Sequence, residues 1–117
     1  MPCIFPDRIL EINSVTQPLG GLAGERLLNK VRKALQCGKQ SHLLDLRGLA
    51  ELDSATLAVL IRVLRAARAA GGDLGLIVDQ EKILRLLSIT ALDRVFPVFH
   101  DEAEAQRAIE ISRAIPA

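Results

Sequence analysis

The dipeptide Asp53-Ser54 places a carboxylate and a hydroxyl at the start of a predicted amphipathic helix. It lies shortly after an apolar run, Ser41 to Leu46, near whose end Asp45 supplies a second carboxylate. The first N–H groups of a helix lack intrahelical partners and carry partial positive charge, so they suit a capping oxygen or an added phosphate. Two interpretations follow: Asp53 or Ser54 caps the helix, or the hydroxyl is a site of covalent modification.

The two carboxylates, Asp45 and Asp53, could also act as a general acid and base. No His, Cys or Lys occupies an obvious partner position for them, and both residues fit structural roles at a strand end and a helix start. The sequence has no P-loop, dinucleotide-binding glycine pattern or metal motif, and Gly71-Gly72 is typical of a turn. We therefore expect a protein that is not an enzyme and has no cofactor or metal of its own.

Three arginines, Arg62, Arg65 and Arg68, follow along the same predicted helix. At ~100° per residue they cover an arc of roughly 120° beside the apolar residues. This arc is either a solvated helix face or a partner-binding ridge. In the second case, Arg62 and Arg65 would contact an acidic protein surface.

The composition indicates one cytoplasmic domain with an aliphatic core. The chain has 117 residues, enough for a single core; half are hydrophobic and only three are aromatic. The scarcity of aromatic residues argues against single-stranded nucleic-acid binding. Fifteen basic and 14 acidic residues give no bulk attraction to DNA or to an anionic membrane. We expect no signal peptide, and no apolar segment approaches the ~20 residues that span a bilayer.

The cysteines and histidines show no metal-binding spacing. Cys3 and Cys37 form no C-x-x-C pair, so we expect two free thiols in a reducing cytosol. His42 and His100 each stand alone and are predicted to be surface or loop-edge residues.

Apolar periodicity and turn signals predict alternating strands and helices, which indicates an α/β layer fold. Strands are predicted at Arg8 to Ile12, Ser41 to Leu46, Leu74 to Val78 and Val95 to Phe99, the last an edge strand because of Pro97. Helices are predicted at about Ala23 to Cys37, at Ser54 to Ala70, in a short segment capped by Asp79, and up to Arg113 after a capping box of Asp101 and Glu104. The predicted buried face of the second helix consists of Leu57, Leu60, Ile61, Leu64 and Ala67.

These segments, in this order, resemble the STAS domain, the fold of bacterial anti-sigma factor antagonists. The family pattern is a strand ending in Asp-Leu, a short turn, Asp-Ser-Ser-Gly-Leu and a helix; here it reads Asp45-Leu46, then Asp53-Ser54-Ala55-Thr56-Leu57. The resemblance continues through Ala70 to Leu74, Leu86 to Phe99 and Asp101 to Ala105. It implies a single STAS domain over residues 1–117, with its core at about 8–112. The implied fold is a small mixed sheet of four to five strands, with about four helices packed mainly on one face.

The resemblance also implies a role in transcription regulation by partner switching. The unphosphorylated chain would bind an anti-sigma factor, a serine kinase of the histidine-kinase-like ATPase fold, and so release a sigma factor. Ser54 is the implied phosphorylation site, with Thr56 as second choice and Asp45 and Asp53 as its surroundings. A PP2C-like phosphatase would reverse the modification, and the kinase would bring its own ATP and Mg²⁺.

The chain departs from the family pattern at Ala55 and Thr56, which replace Ser and Gly. The segment Gly20 to Ala23 also lacks the acidic residue that is common near the family's first helix. An alternative function is therefore a STAS-domain subunit of a bacterial lipid-transport ATPase, or a stress-complex scaffold, without phospho-switching. A small-molecule or nucleotide-binding domain, or an enzyme with a cleft near Asp45, is a further alternative.

Overall fold

Strands and helices alternate along residues 10–38 and 41–114, the part of the chain that the computed structural model describes. The strands are Leu10–Ser14 (β1), Ser41–Asp45 (β2), Asp73–Ile77 (β3) and Val98–Phe99 (β4), and the α-helices are Leu22–Gln36 (α1), Ser54–Ala69 (α2), Glu81–Ile89 (α3) and Glu102–Ala114 (α4). A short 3₁₀ helix, Leu92–Arg94, precedes β4. The predicted order of elements is confirmed, although β4 is shorter than predicted; Arg8 and Ile9 of the first predicted strand lie outside the described residues.

The four described strands form one sheet in the order β1-β2-β3-β4, and all their pairings are parallel, so these strands do not form the mixed sheet that was predicted. Each strand is connected to its neighbour through a helix, which is the connection that parallel pairing requires. The register aligns Ser14 with Asp45 and Asp45 with Ile77. The carboxyl ends of β1, β2 and β3 therefore lie at one edge of the sheet. The loops that follow them, including the loop that leads to Ser54, begin at that edge.

Helices cover both faces of the sheet, with three on one side and one on the other. Leu44 and Leu76 pack in a large core together with α1, α2 and α3. Leu43 and Ile77, which point to the opposite face, pack with Ala105 of α4. This arrangement confirms the predicted α/β class with helices mainly on one face, and it explains why β2 is apolar at successive positions.

A glycine in β3 lets an aromatic ring lie close to the sheet. A Cβ at Gly75 would be 2.9 Å from Cε2 of Phe99 and 3.1 Å from Cδ2 of Leu43. Because Gly75 has no side chain, the Phe99 ring can pack against the core formed by Leu43, Ile77 and Ala105.

The buried face of α2 differs from the predicted one. Buried residues of the helix are Thr56, Val59, Leu60, Val63, Leu64 and Ala67, whereas the predicted Leu57 and Ile61 are half-buried. A Cβ at Gly24 of α1 would be only 2.7 Å from Cγ2 of Val59, so the two helices approach closely at this point. This contact with α1 buries Val59, and the buried Val63 lies one turn further along the same flank. Helical spacing alone did not distinguish this flank from the other one.

Three further predictions about single residues are wrong. His42 is the second residue of β2 and is buried, because both faces of this strand are covered. Cys37 is disulfide-bonded and is not a free thiol, while Cys3 lies outside the described residues. The N-cap of α3 is Gln80 and not Asp79, and no side chain caps that helix. Within the described ranges, no helix is both long and apolar enough to cross a membrane.

Candidate functional site

Asp53 is the residue that caps α2. Its backbone is extended, with φ −88° and ψ 171°, and its Oδ1 accepts a hydrogen bond from the backbone N–H of Thr56 at 2.8 Å. Hydrogen bonding to Thr56, through the side chain and then the backbone N–H, lowers the pKa of Asp53 below its usual value. Asp53 is therefore a carboxylate at neutral pH, and of the two capping candidates, Asp53 and Ser54, it is Asp53 that makes the capping bond.

Ser54 is the first residue of α2 and is exposed to solvent. No hydrogen bond joins its side chain to another residue in the part of the chain that the structure describes. The hydroxyl is thus accessible at a helix N-terminus, where a negative charge is favourable, and the cap does not depend on it.

Thr56 has the opposite environment, although it is only two residues away. Its side chain is fully buried, and its Oγ1 accepts a hydrogen bond from the backbone N–H of Leu19 at 3.0 Å. This bond ties the start of α2 to the segment between β1 and α1. A kinase would have to break it and expose the side chain before modifying Thr56, so the geometry favours Ser54 as the accessible hydroxyl.

Asp45, at the carboxyl end of β2, is held by Arg47. The Nε and NH2 atoms of Arg47 donate to Oδ1 and Oδ2 of Asp45 at 2.9 and 2.8 Å, and the Arg47 backbone N–H donates to Oδ1 at 3.0 Å. The side-chain hydrogen bonds with Arg47 lower the pKa of Asp45. This forked ion pair partly neutralises Asp45, so its repulsion of a phosphate at Ser54 is weaker than the isolated carboxylate in the sequence suggests.

The loop between β2 and α2 is fastened by a residue that the sequence did not single out. Nε2 of Gln80 lies 3.0 Å from the carbonyl oxygen of Leu46 and 2.7 Å from those of Arg47 and Leu49. Gln80 is 31 to 34 residues away in sequence from the residues it contacts. A single glutamine before a helix carries no sequence signal of such a role.

The arginines of α2 differ in their contacts. Arg62 forms a half-exposed ion pair with Glu25 of α1 at 3.1 Å, and Arg68 donates to the carbonyl oxygen of Val95 at 3.0 Å. Arg65 is exposed and makes no hydrogen bond or ion pair within the described ranges. An exposed pair such as Arg62–Glu25 contributes little to stability, so the Arg62 side chain can exchange partners at small cost.

An open groove of about 380 Å³ lies beside this site, between the β2–α2 loop and α3. It is lined by Glu51, Leu52, Lys82, Ile83, Arg85, Leu86 and Ile89. Leu52 directly precedes Asp53, so the groove adjoins the start of α2. Among the described residues, no cluster of His, Cys, Asp or Glu could hold a metal ion.

Two bacterial proteins that share one functional description are similar to this chain in sequence. A candidate anti-sigma factor antagonist of Thermotoga neapolitana is 32% identical over 76 residues, which cover 65% of this chain and 67% of the relative. Its counterpart in Thermotoga maritima is 31% identical over 75 residues, which cover 64% and 66% of the two chains.

Solved structures of anti-sigma factor antagonists are similar to this chain in fold. The crystal structure of the Thermotoga maritima candidate antagonist superposes with a TM-score of 0.76 at 26% identity, covering 92% of this chain and 91% of that one. An anti-sigma-factor antagonist (STAS) domain protein of Planctomyces limnophilus shares the fold, with a TM-score of 0.63 at 21% identity over 94% of this chain and 86% of that one. A family model, the STAS domain, matches residues 9–105. The chain therefore belongs to the STAS domain family.

Proposed function

We propose that this protein is an anti-sigma factor antagonist that is switched off by phosphorylation of Ser54. In the unphosphorylated state it binds an anti-sigma factor, a serine kinase of the histidine-kinase-like ATPase fold, and so releases a sigma factor. The kinase phosphorylates Ser54 and thereby ends the complex, and a PP2C-like phosphatase restores the antagonist. The proposal places the protein in the cytoplasm, where sigma factors act. Its general role is supported by the names of the Thermotoga relatives.

The observation that carries the proposal is the contrast between Ser54 and Thr56. Ser54 is exposed at the first position of α2, whereas the Thr56 hydroxyl is fully buried and bonded to Leu19. A kinase can reach Ser54 without disturbing the core. Because Asp53 supplies the cap, phosphorylation also removes no hydrogen bond that holds the helix start.

Electrostatics explain how the modification can change binding without unfolding the domain. A phosphate adds about −1.5 to −2 charges at pH 7. The positive partial charge at the N-terminus of α2 attracts the phosphate and stabilises the modified domain by roughly 0.3–2 kcal/mol. Asp53 opposes it, but Asp45 is partly neutralised by Arg47. A partner surface packed against Ser54 gains no such compensation, so the added charge acts mainly on the complex.

A capture experiment with three baits tests the proposal. Wild-type protein and Ser54→Ala should each capture an anti-sigma factor kinase from a lysate of the source organism, as identified by mass spectrometry, whereas Ser54→Asp should not. With that kinase and ATP, intact-mass analysis should show one added phosphate on the wild type and none on Ser54→Ala. Capture of lipid-transport ATPase subunits by all three baits would reject the proposal in favour of the alternative without a phospho-switch.

A further inference from the structure

We propose that Gln80 is a positioning residue for the Ser54 site: its side-chain amide fixes the loop from Leu46 to Leu52 in the shape that the anti-sigma partner binds. We refer to this segment as the acceptor loop. The inference rests on the proposed function for its partner, but its structural part can be tested on the isolated protein.

The contacts of Gln80 converge on the backbone of the acceptor loop. One Nε2 atom contacts three backbone carbonyl oxygens, those of Leu46, Arg47 and Leu49, at 2.7 to 3.0 Å. Because an amide nitrogen carries two hydrogens, one hydrogen is shared between two of these carbonyls. Three acceptors around one donor define the orientation of the amide, since the flipped group would bring its oxygen against three carbonyl oxygens.

Two features show that this side chain serves the loop and not its own helix. Gln80 occupies the N-cap position of α3, yet its side chain makes no capping bond. Its Oε1 is buried and has no hydrogen-bond partner. A buried, unpaired oxygen is unfavourable, so the contacts made by Nε2 must hold the side chain in this position.

Few other polar contacts hold the acceptor loop. Its backbone bonds are Leu46 N–H to the Ile77 oxygen and Leu49 N–H to the Leu46 oxygen, at 2.9 and 3.0 Å. At its start, Arg47 donates to the Asp45 carboxylate through its backbone N–H and its side chain. Beyond Leu49, the described ion pair is Glu51–Lys82 at 3.3 Å, with both side chains at least 75% exposed. The side chains of Leu46 and Leu49 are buried in the core. Gln80 adds a polar link that holds the loop backbone between them, before the chain turns toward Asp53 and Ser54.

The acceptor loop can affect binding because it lies next to Ser54. The acceptor loop ends directly before the cap of α2, so a partner that covers Ser54 must also contact the loop or the groove beside it. A loop released from Gln80 samples several conformations, and only a fraction of the molecules then present the binding-competent one. The apparent affinity falls by that fraction.

Gln80→Glu gives a test that a general packing role does not predict. Its carboxylate would face the same three carbonyl oxygens and repel them, whereas the protonated carboxyl can donate one hydrogen bond to them. The ordered loop therefore favours the protonated form and raises the pKa of the new side chain. Loop order is present below that pKa and is lost as the pH rises through it. Gln80→Met, of similar size but without donors, should release the loop at every pH.

The isolated proteins are compared by NMR between about pH 4.5 and 8, following the amide shifts of Gly48, Leu49 and Ser54 and the hydrogen exchange of Leu49, whose N–H donates to the Leu46 oxygen. We expect a pH-dependent transition in Gln80→Glu, constant loss of protection in Gln80→Met, and neither in wild type or in Gln106→Glu, a matched change at an exposed position of α4. Other charged groups near Gln80 are present in wild type and in every variant, so any effect of their titration appears in the controls as well. These groups are Asp45, Arg47, Glu51, Asp79, Glu81, Lys82 and Glu102.

Calorimetry with the anti-sigma partner at pH 7.5 completes the test. We expect at least about 10-fold weaker binding for Gln80→Glu and Gln80→Met, and unchanged binding for Gln106→Glu. Loop amides that stay as in wild type in both Gln80 variants would overturn the positioning role. A released loop with unchanged affinity would overturn its link to binding. If the wild-type protein binds no anti-sigma factor, the proposed function fails and the link to binding fails with it, while the NMR result still decides whether Gln80 fixes the loop.

Discussion

Replacing Thr56 with valine separates a structural hydroxyl from a regulatory one. Valine keeps the shape of the buried side chain but removes Oγ1, the acceptor for the Leu19 N–H at 3.0 Å. Leu19 is itself 7% exposed, so water cannot easily replace the lost acceptor. A buried donor without a partner costs about 1–3 kcal/mol.

This cost translates into a measurable change of stability. For a chain of this size we expect the melting temperature of Thr56→Val to fall by roughly 4–12 °C. In urea, the midpoint should fall while the slope stays constant. Hydrogen exchange should show the cause directly: the Leu19 amide loses protection in Thr56→Val and keeps it in Thr56→Ser, which retains the hydroxyl. Unchanged melting together with a protected Leu19 amide would refute this account of the helix start.

Three further substitutions probe the packing and the charges around the site. Leu60→Asp should unfold or aggregate the protein, because Leu60 is fully buried and an unpaired buried charge costs several kcal/mol; a cooperative melt near the wild-type temperature would contradict this. Gly24→Ala should destabilise by about 1–3 kcal/mol despite the better helix propensity of alanine, because the new Cβ would lie 2.3 Å from the Leu19 oxygen; an equal or higher urea midpoint would show that the loop adjusts. Arg47→Met should raise the pKa of Asp45 in an NMR titration, because Arg47 lowers it in the wild type. The lowered pKa of Asp45 stabilises the fold at a pH above its unfolded-state pKa of about 3.9, and this stabilisation is lost as the pH falls through the folded-state pKa. Arg47→Met should therefore lose less stability on acidification than the wild type. Identical titrations of Asp45 in the two proteins would reject the ion pair.

The features that the sequence predicted are those that depend on local order. Asp53 caps α2 as one of the two expected candidates because capping needs only a short polar side chain next to a helix. The predicted capping box at α4 is likewise local, and the Glu104 N–H donates to Oδ1 of Asp101 at 2.8 Å.

The features that the sequence did not reveal depend on contacts between distant segments. Val59 is buried by α1, and His42 by the cover over the sheet face to which it points, while periodicity describes one helix or strand at a time. The bond between Thr56 and Leu19 spans 37 residues, and those of Gln80 span 31 to 34. Local patterns carry no information about such partners.

The most direct test of the central claim compares the affinity of the anti-sigma partner for wild type, Ser54→Ala and Ser54→Asp by calorimetry, with urea unfolding of each variant. Because Asp53 is the cap and Ser54 is exposed, the stability of both variants should stay within about 1 kcal/mol of wild type. We expect Ser54→Ala to bind as wild type and Ser54→Asp to bind at least about 30-fold more weakly, since an unpaired carboxylate buried at an interface costs 2 kcal/mol or more. Equal affinities of all three proteins would contradict the claim that charge at Ser54 controls this complex.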